Sequence, residues 1–138
     1  MGKQILHRML NLQGQEWVLL MEALGFLLLA RIGLILFPLR RVIRWVPRQS
    51  RGSSWTTPHQ VAWAVETLAR KVPLFRNCLV QALAAHAMLR RRGFPSTLHV
   101  GVRREDNRYL FHAWVELSGR PILGGGPGLG FIPLKHWS

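Results

Sequence analysis

The chain has 138 residues, with 19 Lys and Arg against 6 Asp and Glu, so its formal net charge is +13. At this length one compact domain is expected, because such a chain buries on the order of 68% of its unfolded surface; two full domains are not. A content of 49% hydrophobic and 18% charged residues argues against disorder, and a single cysteine excludes a disulfide framework or a structural zinc site of several thiolates.

The lone Cys fits a reducing cytoplasm, as a buried thiol, a free surface thiol or a nucleophile. The positive charge, mostly arginine, draws phosphate, anionic lipid or acidic peptide. Nucleic acid is not the expected partner, since no recognisable nucleic-acid module accompanies the charge.

The first apolar block runs from Trp17 to Leu39 and is long enough for a membrane helix. Glu22 and Arg31 interrupt it, and an arginine near the centre of a span costs roughly 2.5–3.5 kcal/mol. The expectation is therefore a helix laid on the domain or docking a partner, ending at Pro38, whose imide cannot donate a backbone hydrogen bond. No signal peptide is expected, because polar and charged residues follow Lys3 where an apolar core would stand. From Arg40 to Ser54 the chain is basic and broken by Pro47 and Gly52, and reads as a linker.

A helix then starts at Thr57, with Pro58 at its first position and Gln60 completing a capping box. Its apolar stripe is Val61, Ala64, Val65, Leu68 and Val72, which keeps helical spacing up to Pro73. A second helix runs from the cap Asn77 to Gly93, with Arg90, Arg91 and Arg92 at its negative end and Gly93 suited to the left-handed residue beyond.

After Pro95 the apolar period falls to two. Leu98, Val100 and Val102 form one strand, the polar run Arg104–Arg108 a hairpin loop, and Tyr109–Leu117 a second strand. Phe111, Ala113 and Val115 share one face of that strand, and His112, Trp114 and Glu116 the other. A Ser118-Gly119 turn leads into a short strand, Arg120–Leu123. The five glycines from Gly124 to Gly130 lack the Lys-Ser/Thr of a phosphate loop and read as a flap. Phe131, Ile132 and Leu134 close the fold.

Cys78 is the first residue after the cap Asn77. There the unpaired N–H groups and the helix dipole favour a thiolate, and the same groups could hold an oxyanion. A helix that starts with Cys and a following strand that carries His is the order found in papain-like and transglutaminase-like enzymes. The fold class expected is α+β: a helix carrying Cys78 packed on a small antiparallel sheet carrying His112, at residues 47–138, behind an N-terminal helical extension at 1–46.

Asn77-Cys78-Leu79, Leu89-Arg90-Arg91-Arg92-Gly93, Gly101-Val102-Arg103 and His112-Ala113-Trp114-Val115-Glu116 together resemble the stand-alone, transglutaminase-like leader peptidases of lasso-peptide biosynthesis. The resemblance covers roughly residues 45 to 135 and includes Arg44–Arg48. It implies Cys78 as nucleophile and His112 as general base and acid in removing the leader from a ribosomal precursor peptide. A leader-binding recognition protein and an ATP-dependent macrolactam-forming lasso cyclase would be its partners, with no cofactor or metal. The expected location is the cytoplasm, which the lone Cys fits, and the apolar N-terminal helix is expected to dock the cyclase or to make peripheral membrane contact.

The family usually supplies an acid on the strand after His. Counting back from a Leu117–Arg120 pair places Gly125 opposite His112. Glu116 lies about 13 Å along the strand, and Asp106 sits in a hairpin tip. The third member is thus left open between absence, a remote Glu or Asn, a backbone carbonyl and water. A transglutaminase or acyltransferase using the same Cys–His pair, and a peptide-binding pseudo-enzyme, remain the alternatives. His86, two helical turns from Cys78, reads as structural. His99 has no zinc-ligand spacing to Cys78 and His112. Trp114 and Glu116 either line a peptide groove or pack and solvate.

Overall fold

The computed structural model describes residues 14–46, 57–124 and 130–137. Helix α1 spans Gly14–Leu36, α2 Leu39–Arg44, α3 Pro58–Lys71 and α4 Cys78–Arg91, with a 3-10 turn at Pro73–Phe75 between the last two. Strands β1 (Ser96–Glu105), β2 (Arg108–Leu117), β3 (Arg120–Leu123) and β4 (Ile132–Trp137) form one antiparallel sheet in the order β3-β2-β1-β4.

Helix α4 is the centre of the molecule. Val80 and every residue from Ala82 to Leu89 are buried, because α1 and α3 pack on one side of α4 and β1 and β2 on the other. This central place requires apolar character all round rather than along a stripe. Leu19, Ala23 and Leu27 of α1 join Val61 and Val65 of α3, Leu83 of α4, and Leu98, Ala113 and Val115 of the sheet in a single core. The apolar N-terminal helix is therefore part of that core.

The chain signals for α3 and α4 act as anticipated. Thr57 Oγ1 accepts from Gln60 N (3.3 Å) while Gln60 Oε1 accepts from Thr57 N (2.9 Å), closing the capping box. Asn77 Oδ1 accepts from Leu79 N (2.8 Å) and Val80 N (3.4 Å). At the other end of α4, Gly93 takes φ +87° and Phe94 N donates to Leu89 O, the bond that closes a left-handed helix end.

Two expectations are corrected and one element is added. The basic stretch after Pro38 is not irregular at its start: Leu39–Arg44 forms α2, with Pro38 in extended conformation at its cap and Val42 buried, because Val42 has an apolar floor to pack on. The strands of the first hairpin reach Glu105 and Arg108, so its loop is only Asp106-Asn107, both at positive φ as a tight two-residue turn requires. Ile132–Trp137 is a fourth strand on the free edge of β1, hydrogen-bonded along Leu98–Val102. The remainder of the expected linker, residues 47–54, and most of the glycine-rich flap, residues 125–129, lie outside the described residues.

The Glu22 that interrupts the apolar block has a specific partner. Its carboxylate accepts from Arg91 Nη1 (2.9 Å) and Arg92 Nη1 (2.6 Å) and also pairs with Arg92 Nη2. The arginines at the end of α4 thus tie α1 to α4 as well as offsetting the helix dipole.

Candidate active site

Cys78 occupies the first position of α4, half-buried, with its side chain against the core. Of the four N–H groups without a helical partner at this helix start, those of Asn77, Cys78, Leu79 and Val80, the Asn77 carboxamide takes those of Leu79 and Val80, while Gln81 N makes the first helical bond to Asn77 O. The N–H groups of Asn77 and Cys78 are left among the described residues. The sequence reading assigned the helix-start donors to an oxyanion; the cap halves them. The reason is that a side-chain cap and an oxyanion compete for the same orphan donors.

His112 lies on β2 opposite Gly101, and α4 packs on β2. Ala113 and Val115 belong to the core shared with the helices, whereas His112, Trp114 and Glu116 share the alternate face. The thiol of Cys78 and the imidazole of His112 are carried on adjoining elements without a hydrogen bond between them.

The open question of the third member has a definite answer for the imidazole. His112 Nε2–H donates to the carbonyl oxygen of Gly124 at 2.6 Å. A carbonyl can only accept, so this bond places the proton on Nε2 and leaves Nδ1 with its lone pair, the form a general base needs. The strand count that put Gly125 opposite His112 fails. Leu117↔Arg120 and Glu116↔Pro121 pair as expected, but Val115 pairs with Leu123, so Ile122 is an extra residue. That shift sets Gly124 beside Trp114, one step diagonal to His112 on the same face, from where its carbonyl reaches the imidazole. A Cβ at Gly124, which has φ +88°, would stand 3.2 Å from His112 Nε2, 3.0 Å from Ala113 O and 3.0 Å from Trp114 Cβ. A side chain at 124 would therefore meet the imidazole directly, and glycine leaves that place to the main-chain carbonyl.

Aromatic contacts frame the imidazole. Phe131 lies 4.9 Å from the His112 ring, and the Arg103 guanidinium stands 4.8 Å from the Phe131 ring. Trp114, fully buried, stacks on His99 at 5.4 Å with an interplanar angle of 7° and lies 6.2 Å from His112. Glu116 does not reach His112. It pairs with His99 Nε2 at 2.7 Å, one step diagonal to the Trp114↔His99 register. His99 is thus engaged by a carboxylate, and among the described residues no three His, Cys, Asp or Glu side chains converge as metal ligands.

His86 is buried in the middle of α4, where Nδ1 shares a 2.8 Å hydrogen bond with Ser96 Oγ. Burial, reinforced by Arg90, lowers its pKa from 6.5 to about 4. Its role is structural, tying α4 to the start of β1. Sequence reasoning missed two parts of the site. Phe131 carried only an apolar signal, and the Gly124 carbonyl carries none, because every residue has one.

A helix start bearing Cys, packed on an antiparallel sheet whose second strand bears a tautomer-fixed His, defines a transglutaminase-like core. A family model described as the Transglutaminase-like superfamily matches residues 20–134, and the chain belongs to this superfamily. Neither a curated protein nor a solved structure matches it. The match begins within α1, in keeping with the part α1 takes in the core.

Proposed function

We propose that this protein is a cysteine peptidase that removes the leader from a lasso-peptide precursor, working beside a leader-binding protein and an ATP-dependent cyclase. Superfamily membership supports cysteine protease or acyltransferase chemistry in general. The bond from His112 Nε2–H to Gly124 O is the observation that carries the assignment of roles, because it presents Nδ1 as the base.

In this reading the Cys78 thiol gives its proton to His112 Nδ1, and Sγ attacks the scissile carbonyl carbon. The oxyanion takes the Cys78 N–H. The C–N bond breaks, His112 returns the proton to the leaving amine, and a thioester remains. Water then loses a proton to His112 and attacks, and collapse releases the carboxylic acid and restores the thiol. No hydrogen bond joins thiol and imidazole, and His112 stands on the face of β2 away from the core that Cys78 and Ala113 share, so this reading requires substrate binding to bring the two together. Phe131, 4.9 Å from the His112 ring, borders the imidazole and offers an apolar contact for a peptide.

The test is mass spectrometry of a synthetic precursor incubated with the chain and its leader-binding partner. The wild-type protein releases free leader acid, Cys78→Ala leaves precursor intact with an unchanged melting temperature, and an added amine does not appear in the product. Processing by the Cys78→Ala protein would overturn the assignment. Amine incorporation would identify an acyltransferase, and intact precursor with wild-type protein would identify a peptide-binding pseudo-enzyme.

A further inference from the structure

Helix α1 has two apolar faces. Leu19, Ala23, Leu27 and Ala30 enter the core. On the opposite side Met21, Leu28, Leu29, Ile32, Ile35 and Leu36 are 41–68% exposed. At 100° per residue these six, with Trp17 and Val18, fall within an arc of about 120° that runs for about 28 Å along the helix. No acidic side chain stands in the arc, since Glu22 lies beside it and is held by Arg91 and Arg92.

A cleft of about 300 Å³ opens along the same side, between Leu29, Ile32 and Leu36 of α1, Trp45 beyond α2, and Leu83 and Ala87 of α4. Arg40, Arg41 and Arg44 of α2 are exposed at the end of the stripe. Trp17 and Trp45, 45% and 59% exposed, mark its two ends.

We propose that α1 and α2 form a docking surface for an anionic membrane, with α1 lying in the plane of the interface. The charge chooses this occupant. A second copy would bring another +13 against the same arginines, whereas anionic headgroups neutralise them while the stripe enters the acyl boundary and the cleft receives a chain. The helix is long and apolar enough to span, but spanning would pull Leu19, Ala23 and Leu27 out of the core and break the Glu22 pair with α4. An in-plane pose keeps both. Indole rings at both ends suit the headgroup level.

Flotation of the full chain with vesicles tests this without reference to catalysis. Phosphatidylglycerol-containing vesicles should carry the wild-type protein and pure phosphatidylcholine vesicles should not, with retention falling as salt rises. Leu28→Glu with Ile32→Glu changes exposed positions only, and should abolish flotation at unchanged melting temperature. Arg40→Glu with Arg41→Glu and Arg44→Glu should lower the vesicle partition coefficient on the order of 100-fold. Equal binding to both vesicle types, full binding by the Leu28/Ile32 variant, or wild-type protein that sediments as a dimer and fails to float would each overturn the proposal.

Discussion

Gly101 is the narrowest point of the sheet, and adding one methyl group there tests the arrangement around the candidate imidazole. A Cβ at this position would stand 2.7 Å from both Cη2 and Cζ3 of Trp114 and 2.8 Å from the carbonyl oxygen of Ile132. Ordinary contacts are 3.5–4.0 Å, so the ring or the β4 backbone has to move by close to 1 Å. Neither is free to do so. Trp114 is fully buried and stacked on His99, and Ile132 is held in the β1–β4 pairing beside the register shift at Val100/Gly101. Overpacking of this kind costs about 1–3 kcal/mol. For a domain of this size that lowers the melting temperature by roughly 4–12 °C. Gly101→Ala should therefore melt earlier by far-UV circular dichroism and change its near-UV tryptophan signal. The proposed peptidase activity should fall as well, because Trp114 neighbours His112. An unchanged melting temperature with an unchanged near-UV spectrum would refute the placement of the Trp114 ring over Gly101.

Three further outcomes follow from separate contacts. His86 binds a proton below about pH 4 when folded and near 6.5 when unfolded. The unfolded chain thus holds more protons between those values, and stability falls as pH drops through that window, by on the order of 3 kcal/mol in full. His86→Gln should flatten that part of a denaturation series, and an unaltered slope would refute the linkage. Glu22→Ala should destabilise by about 1–3 kcal/mol in urea titration, because it strands Arg92, whose side chain is only 10% exposed; a loss below 0.5 kcal/mol would mark the pair as a surface contact. Phe131→Ala should lower kcat/KM for the proposed precursor several-fold, because its ring packs 4.9 Å from the His112 imidazole, and an unchanged value would remove Phe131 from the site.

Much of the site was legible one residue at a time. The Asn77 cap, Cys78 at the first helical position, and the alternation that puts His112 beside Trp114 on one face are local properties, set by spacing and by side chains that bond within a few residues. Glycine at 124 and 125 was equally visible as missing side chains. What took the place of the acid was not, because a main-chain carbonyl has no sequence signature and a single-residue bulge at Ile122 moves it into position. The pairing of Glu116 with His99 instead of His112 also depends on strand register.

The scarcity of acids illustrates the same division. Composition shows five Glu and one Asp in 138 residues. It does not show that Glu22 is spent on the arginines of α4, Glu116 on His99, and Asp106 in a turn at positive φ. The sequence by itself determined α1, α3 and α4, the caps of α3 and α4, the Ser118-Gly119 turn, and Cys78 and His112 as candidates, since hydrophobic period and local hydrogen bonds set them. Tertiary structure decided that α1 is a core helix with a second, exposed apolar face, that a fourth strand completes the sheet, and that Gly124 orients the imidazole. Those depend on which distant surfaces meet, and burial is a property of the assembled chain.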